Sequence, residues 1–332
     1  MSENRLLINM LPQWVKSFFR RYISLLEFDK YTWKKFAPCK NPERISTYKT
    51  NVPYKMGIIK DYAYYHHYYI AACQELKVPY EIVDISVNNW IEQIKRCECD
   101  AFLVWPSVHL AVWKEMFDER LKIISEDMGK IIYPTYKEIW LYENKRRVRD
   151  WLIANNIPHP KTWIFYNLDE VLDFLKMADF PLVRKTALGA ASSGVKIVHN
   201  RKEAIKETKK AFEKGIIPQN FDKRDKQWGY IIFQEYIPHS YEWRVVRIGK
   251  SFMIRKKIRI KNYASGSGIV YWAKPSIPLL NFARKITDTG KFTSMAIDIF
   301  ETKDGFLANE LQTLFGNIKE ENLSKGEEFR GR

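Results

Sequence analysis

The sequence has no apolar run approaching the ~18 residues that a membrane-crossing helix needs, which excludes a spanning segment. No charged-apolar-small cleavage pattern opens it, so no cleaved signal peptide is expected. Cysteine is scarce, with only Cys39, Cys73, Cys97 and Cys99. None makes a CxxC pair, and Cys97-Glu98-Cys99 stands too much alone to argue for zinc. Reduced thiols and a cytoplasmic setting are the expectation. No Ser/His/Asp or Cys/His set argues for a nucleophilic enzyme. Negative charge is also in short supply: 39 acidic residues against 55 lysines and arginines give a net charge of +16. The partner should therefore be anionic: nucleotide phosphate, nucleic acid, an acidic polymer or a lipid surface.

What is present suits a chain of two or three domains, with 46% hydrophobic residues over 332. Leu6 to Leu26 has helical spacing of Leu11, Val15, Phe18, Tyr22 and Leu25, with Pro12 placed to start it and Lys16, Arg20 and Arg21 elsewhere around it. It reads either as a helix docked on its own protein or, through residues 12–26, as one lying peripherally on an anionic membrane. Residues 34–54, with Pro38, Pro42 and Pro53, read as a connector. From Lys55 strands and helices alternate: strands at 56–59, 80–85, 101–105 and 131–133, helices at 68–76 and 88–96. That order predicts a small parallel α/β domain. The Tyr/His tract over residues 62–69 either lines a pocket at a strand end or packs locally.

Beyond Tyr142-Glu143-Asn144-Lys145, which opens a helix to about Asn155, strands are predicted at 162–166, 180–185 and 195–198, with helices at 168–177 and 201–214. Lys185 closes an apolar strand and precedes a loop of small residues, Gly189 to Gly194. A lysine beside such a loop suits phosphate, although the Lys-Ser or Lys-Thr ending of a P-loop is lacking. Residues 216–229 read as an exposed basic linker. Between Arg244 and Lys261 lie eight basic residues and no acidic one, and alternation places Arg255, Lys257 and Arg259 on one face. That stripe is either a solvated face or a surface for polyphosphate. Aromatics interleaved on it, as nucleic-acid binding would want, are missing, so no nucleic-acid partner is expected.

Ser294 to Gly316 reads as a hairpin. With Lys303-Asp304-Gly305 as a three-residue loop, Thr302 pairs with Phe306 and Asp298 falls opposite Glu310, with Gln312 on the same face. The bland reading is a surface hairpin with solvated acids. The alternative is a face of oxygens holding a hard ion such as magnesium.

In this order, the elements from about Lys130 to Gly316 resemble the ATP-grasp superfamily of ligases, closest to the ribosomal-protein glutamate ligase and D-alanine–D-alanine ligase types. The resemblance is looser over residues 55–130 and absent from residues 1–50. It implies an α/β and α+β chain: a segment at 1–54, an α/β pre-ATP-grasp domain at 55–135, an ATP-grasp domain at 136–320 and a tail at 321–332. Within the ATP-grasp domain it implies a flap subdomain at about 160–235 and a metal-binding one at about 236–320. By the resemblance, Lys145 and Lys185 contact phosphates, and Ser192, Ser193 and Gly194 belong to the flap closing over them. Glu235, Tyr236 and Ile237 resemble the hinge that reads adenine, and Glu242 the ribose-binding carboxylate. Arg244 and Arg255 resemble the arginines that hold the transferring phosphoryl and the carboxylate, with Lys257 or Arg259 able to take the place of Arg255. Asp298 and Glu310 resemble magnesium ligands, with Gln312 where the family has asparagine.

The implied chemistry uses ATP and Mg2+. The γ-phosphoryl passes to a carboxylate, and an amine then displaces phosphate from the acyl phosphate to form an amide. A small-molecule or sugar-linked carboxylate and an amine donor are the implied partners; a uronic-acid sugar of a surface polysaccharide is one such acceptor. Two other readings stay open: a kinase of the same fold acting on an alcohol, and a basic binding protein whose nucleotide site is degenerate.

Overall fold

A computed structural model describes residues 27, 30, 31, 34, 37–41, 52–189, 193–218, 222, 225–259, 270–315, 330 and 331. The helix expected at 6–26 and most of the connector after it lie outside the described residues. The chain divides into two units, Met1–Tyr136 with Asn220–Asp225, and Lys137–Gln219 with Lys226–Arg332.

In the first unit, short apolar strands alternate with helices, as the sequence pattern predicts. β1 (Met56–Ile59), β2 (Tyr80–Val83), β3 (Ala101–Leu103) and β4 (Ile131–Tyr133) form a parallel sheet in the order β2-β1-β3-β4. Between them run α1 (His67–Glu75), α2 (Trp90–Arg96) and α3 (Ala111–Lys122), the last continuing as a π-helical turn at Ile123–Asp127. Gly57 lies between Glu81 and Phe102 in the sheet, and a Cβ there would stand 2.4 Å from the Phe102 ring. Glycine is required by that close approach. The Tyr/His tract packs locally: Tyr65 and Tyr68 lie against Trp105, and Tyr62 against Trp113. Asp61 anchors it by accepting from the backbone of Ala63 and Ser107.

The second unit begins within α4 (Tyr136–Leu141), continues through α5 (Lys145–Ala154) and then builds two sheets. β5 (Thr162–Phe165), β6 (Leu182–Lys185), β7 (Val195–Val198) and β8 (Ile231–Glu235) form an antiparallel sheet in the order β5-β8-β6-β7. α6 (Leu168–Met177) and α7 (Arg201–Glu213) cover it, burying Val171, Leu175, Ala204 and Ala211 against Phe165, Leu182 and Phe233. Asn167 and Asn200 cap these helices through their side-chain oxygens.

The larger sheet holds β9 (Tyr241–Ile248), β10 (Ser251–Ile258), β11 (Val270–Trp272), β12 (Ser294–Thr302) and β13 (Gly305–Gln312) in the order β11-β10-β9-β12-β13. A short β14 (Arg330–Gly331) pairs with β10. One face packs Val245, Ile254, Ile297, Ile299 and Leu311 on α5 and on α8 (Ile277–Gly290). Because side chains alternate, the opposite face carries the polar members of the same strands. The expected linker at 216–229 is partly a correction. Ile216 is buried, and it exchanges backbone hydrogen bonds with Gln227.

Candidate functional site

The site is assembled on the polar face of the larger sheet and on the segments that meet it. At the turn between α4 and α5, Glu143 takes a left-handed φ of 53°, and Asn144 then caps α5 by accepting from Arg147 N. Lys145 is thus the first residue of α5. Its backbone N–H donates to Ala187 O at 3.0 Å, and its Nζ donates to Gly189 O at 3.0 Å and lies 3.2 Å from Glu310 Oε1. Lys185, at the end of β6, donates to a neutral group, Asn309 Oδ1, at 2.9 Å. Burial outweighs the nearby carboxylates and pulls the Lys185 ammonium down to about 8.

The hairpin differs from expectation at its tip. Thr302 pairs with Gly305, not Phe306, so the loop has two residues, Lys303 and Asp304. A β-bulge at Asn309 then takes up one residue, and Asp298 still falls opposite Glu310. The shorter loop and the bulge cancel in register. The bulge also places Asn309, which the sequence reading did not single out, where its amide oxygen meets Lys185.

Register aligns a row of charge across four strands, with Arg255 beside Arg244, Arg244 beside Asp298, and Asp298 beside Glu310. Lys257, two residues along, joins them. Its Nζ lies 2.6 Å from Asp298 Oδ2 and 2.8 Å from Glu242 Oε2, all three residues being buried. Arg244 lies 3.5 Å from Asp298 Oδ1 and donates to Gln312 Oε1. Burial raises the Asp298 carboxyl, and Arg244 and Lys257 more than reverse it, leaving it below the usual carboxylate range. Burial lowers Lys257, and Asp298 and Glu242 more than restore it. This stripe is therefore not a solvated face.

The three candidates for the second basic position separate by their contacts. Lys257 is committed to two carboxylates. Arg259 donates to His239 O at 3.2 Å and lies over the Tyr236 ring, so it holds the connector after β8. Arg255 has a buried Nε without a hydrogen-bond partner, and burial, with Arg244 beside it, pulls it down to about 10. Glu143 was not anticipated as a site group. It is buried, Gln312 Nε2 donates to its Oε1 at 3.4 Å, and burial pushes its carboxyl up to about 7 against the pull of Lys145. Its neighbour Asn144 is a visible cap, but nothing in the sequence marks Glu143 itself.

Beside this network lies a small cleft, lined among others by Lys145, Lys185, Gln234, Asn309 and Glu310. Gln227, in the expected linker, braces the segment after β6: its Oε1 accepts from Ala187 N at 2.5 Å and its Nε2 donates to Leu188 O at 3.0 Å. Glu235, Tyr236 and Ile237 do not line the cleft. Glu235 Oε1 accepts from Lys161 N at 2.6 Å, and Ile237 O contacts His239 Nδ1 at 2.7 Å. Glu242 is spent on Lys257, with His239 Nε2 at 3.7 Å. Ser193 Oγ is buried without a hydrogen-bond partner, and Gly194 O accepts from Thr186 N and Arg184. Ser192 lies outside the described residues.

The oxygen donors suit a hard cation. Asp298, Glu310 and Gln312 offer three side-chain oxygens on neighbouring strands, and the buried Asp298 Oδ1 and Glu143 Oε2 have no hydrogen-bond donor.

No protein-family model matches the sequence, and no curated protein matches it. Solved structures do. A RimK domain ATP-grasp protein from Sphaerobacter thermophilus is 15% identical, with a TM-score of 0.52 over 77% of this chain and 90% of that one. The D-alanine–D-alanine ligase of Bacillus anthracis is 20% identical, with a TM-score of 0.55 over 79% and 87%. The D-alanyl-alanine synthetase A of Vibrio cholerae is 14% identical, with a TM-score of 0.56 over 80% and 90%. At such identities the likeness is one of architecture, and it is consistent: the chain has the ATP-grasp fold.

Proposed function

We propose that this chain is an ATP-dependent carboxylate–amine ligase whose cleft takes ATP and magnesium. One observation carries the reading: Lys185 and Arg255 are half-buried cations, and neither has a carboxylate within ion-pair distance among the described residues. Withdrawing a cation from water without a direct ion pair is costly, and an incoming polyanion supplies one. The ATP-grasp fold supports the choice of nucleotide, and the Bacillus anthracis ligase has been solved complexed with ATP.

In this reading Lys145 and Lys185 donate to phosphate oxygens at the cleft. Arg244 and Arg255 steady the transferring phosphoryl group and the acceptor carboxylate. Asp298, Glu310 and Gln312 would hold magnesium, which when bound offsets charge on the phosphates. Lys257 bridges Asp298 and Glu242. The acceptor carboxylate takes the γ-phosphoryl to give an acyl phosphate and ADP. The amine nitrogen then forms the C–N bond as phosphate leaves, and the amine's proton passes to solvent. Side chains position and neutralise; none needs to be a nucleophile. The basic surface favours anionic acceptors, and uronic-acid sugars are the class to screen first.

The test follows ADP release with ATP and magnesium while carboxylates are screened with hydroxylamine as surrogate amine. A hydroxamate formed with one carboxylate, and lost in Glu310→Ala, is the expected result. ADP release with a stable phosphorylated alcohol and no hydroxamate would instead make the chain a kinase. Failure to bind ATP would overturn the reading.

A further inference from the structure

The first unit holds a cluster of ligating side chains that the cleft chemistry does not use. Cys97 follows α2 in extended conformation, with φ −72° and ψ 113°. Residues two apart on extended backbone point the same way, so Cys97 and Cys99 present their sulfurs to one side. Their Sγ atoms are 2.6 Å apart, and both residues are buried. Both are free thiols. Glu81, from β2, brings a carboxylate oxygen to the same place, and the three donor atoms lie within 4.8 Å of one another. Lys55 closes the group: its Nζ lies 2.6 Å from Glu81 Oε2, while its backbone N–H holds Asp100 Oδ2 at 2.7 Å.

Buried cysteines are commonly packed as small apolar side chains. Cys39 and Cys73 do so in this unit, within a cluster containing Ile58, Ile70, Val78 and Tyr80. Cys97 and Cys99 are not in that cluster; they face a carboxylate and an ammonium. Two sulfurs and a carboxylate oxygen make a donor set that hard ions such as magnesium do not favour and zinc does.

We propose that Glu81, Cys97 and Cys99 form a zinc site, with the fourth tetrahedral position left to water. Binding replaces two S–H bonds by two Zn–S bonds and releases two protons, with no change of oxidation state. Sulfurs each about 2.3 Å from one tetrahedral ion stand about 3.8 Å apart, so the pair opens slightly by rotation about χ1. Lys55 offsets the negative charge of the donors. The ion would tie β2 to the segment entering β3 across the start of β1, a structural clamp on the sheet.

The experiment uses the full chain, purified under reducing conditions. Elemental analysis is expected to find about one zinc per chain. After chelator stripping, Co2+ alone should give sulfur-to-cobalt charge-transfer absorption with tetrahedral d–d bands. Both signals should vanish in Cys97→Ser and Cys99→Ser. Glu81→Gln, at a partly exposed position that leaves both thiols in place, should weaken zinc by about tenfold or more. Three results would overturn the proposal: thiols that titrate as free whether or not zinc is added; a purified chain two hydrogens lighter, a Cys97–Cys99 disulfide; or zinc that persists at full stoichiometry in all three variants, which would place it elsewhere.

Discussion

At the scale of single residues, the site is governed by how burial and pairing compete. Lys257 is the plainest case, a buried ammonium between Asp298 and Glu242. Replacing one member of such a group strands the others: Lys257→Met should cost about 3–5 kcal/mol in chemical denaturation. A loss below about 1 kcal/mol, the range of exposed pairs, would mean that water reaches the carboxylates. Glu143 presents the opposite sign. Its folded-state carboxyl lies at about 7 against an ordinary 4.5, so the folded protein holds a proton that the unfolded chain gives up. Stability is therefore lost as pH rises from 4.5 to about 7, and the deficit persists above that. Glu143→Gln should stabilise the metal-free protein near pH 8, by at most about 3 kcal/mol, and have little effect near pH 4.5. Thermal melts of both proteins at the two pH values check this, and an equal gain at both would show that charge is not the cause.

At the scale of elements, periodicity made most of the architecture legible, because apolar alternation and helical spacing follow burial directly. The strands around Ile58, Ile82, Phe102 and Ile132 and the helices at 168–177 and 201–213 lie where the pattern puts them. What stayed hidden were features fixed by contacts distant in sequence. The Gln227 brace is one, since a polar stretch gives no sign that its amide will meet Ala187 and Leu188. The bulge at Asn309 is another. Strand alternation assumes regular pairing, and the two-residue loop and the bulge left the Asp298–Glu310 pairing intact by offsetting one another. The bulge makes a prediction of its own. Asn309→Ala removes the acceptor that steadies Lys185 without altering the apolar core. ATP should bind about three- to tenfold more weakly, the worth of one hydrogen bond, with the melting temperature nearly unchanged. Calorimetric titration reads the affinity; unchanged binding would show that Lys185 needs no anchor.

At the scale of the whole molecule, the net charge of +16 and the half-buried cations Lys185 and Arg255 act at different stages of binding. Long-range attraction of an anion by surface charge governs encounter and is screened within about 8–10 Å at ordinary ionic strength. Lys185 and Arg255 act at contact, where partial burial weakens screening by salt. Salt should therefore divide the kinetics. Raising the ionic strength should slow association of a fluorescent ATP analogue by about tenfold, with dissociation nearly unchanged. Arg255→Met should do the reverse, hastening dissociation and barely altering the association rate, because it removes one charge among 55 basic residues. Stopped-flow measurement separates the two rates. If salt acted mainly on dissociation, the nucleotide would be held by exposed charge, and the case for a buried phosphate site built on Lys185 and Arg255 would fail.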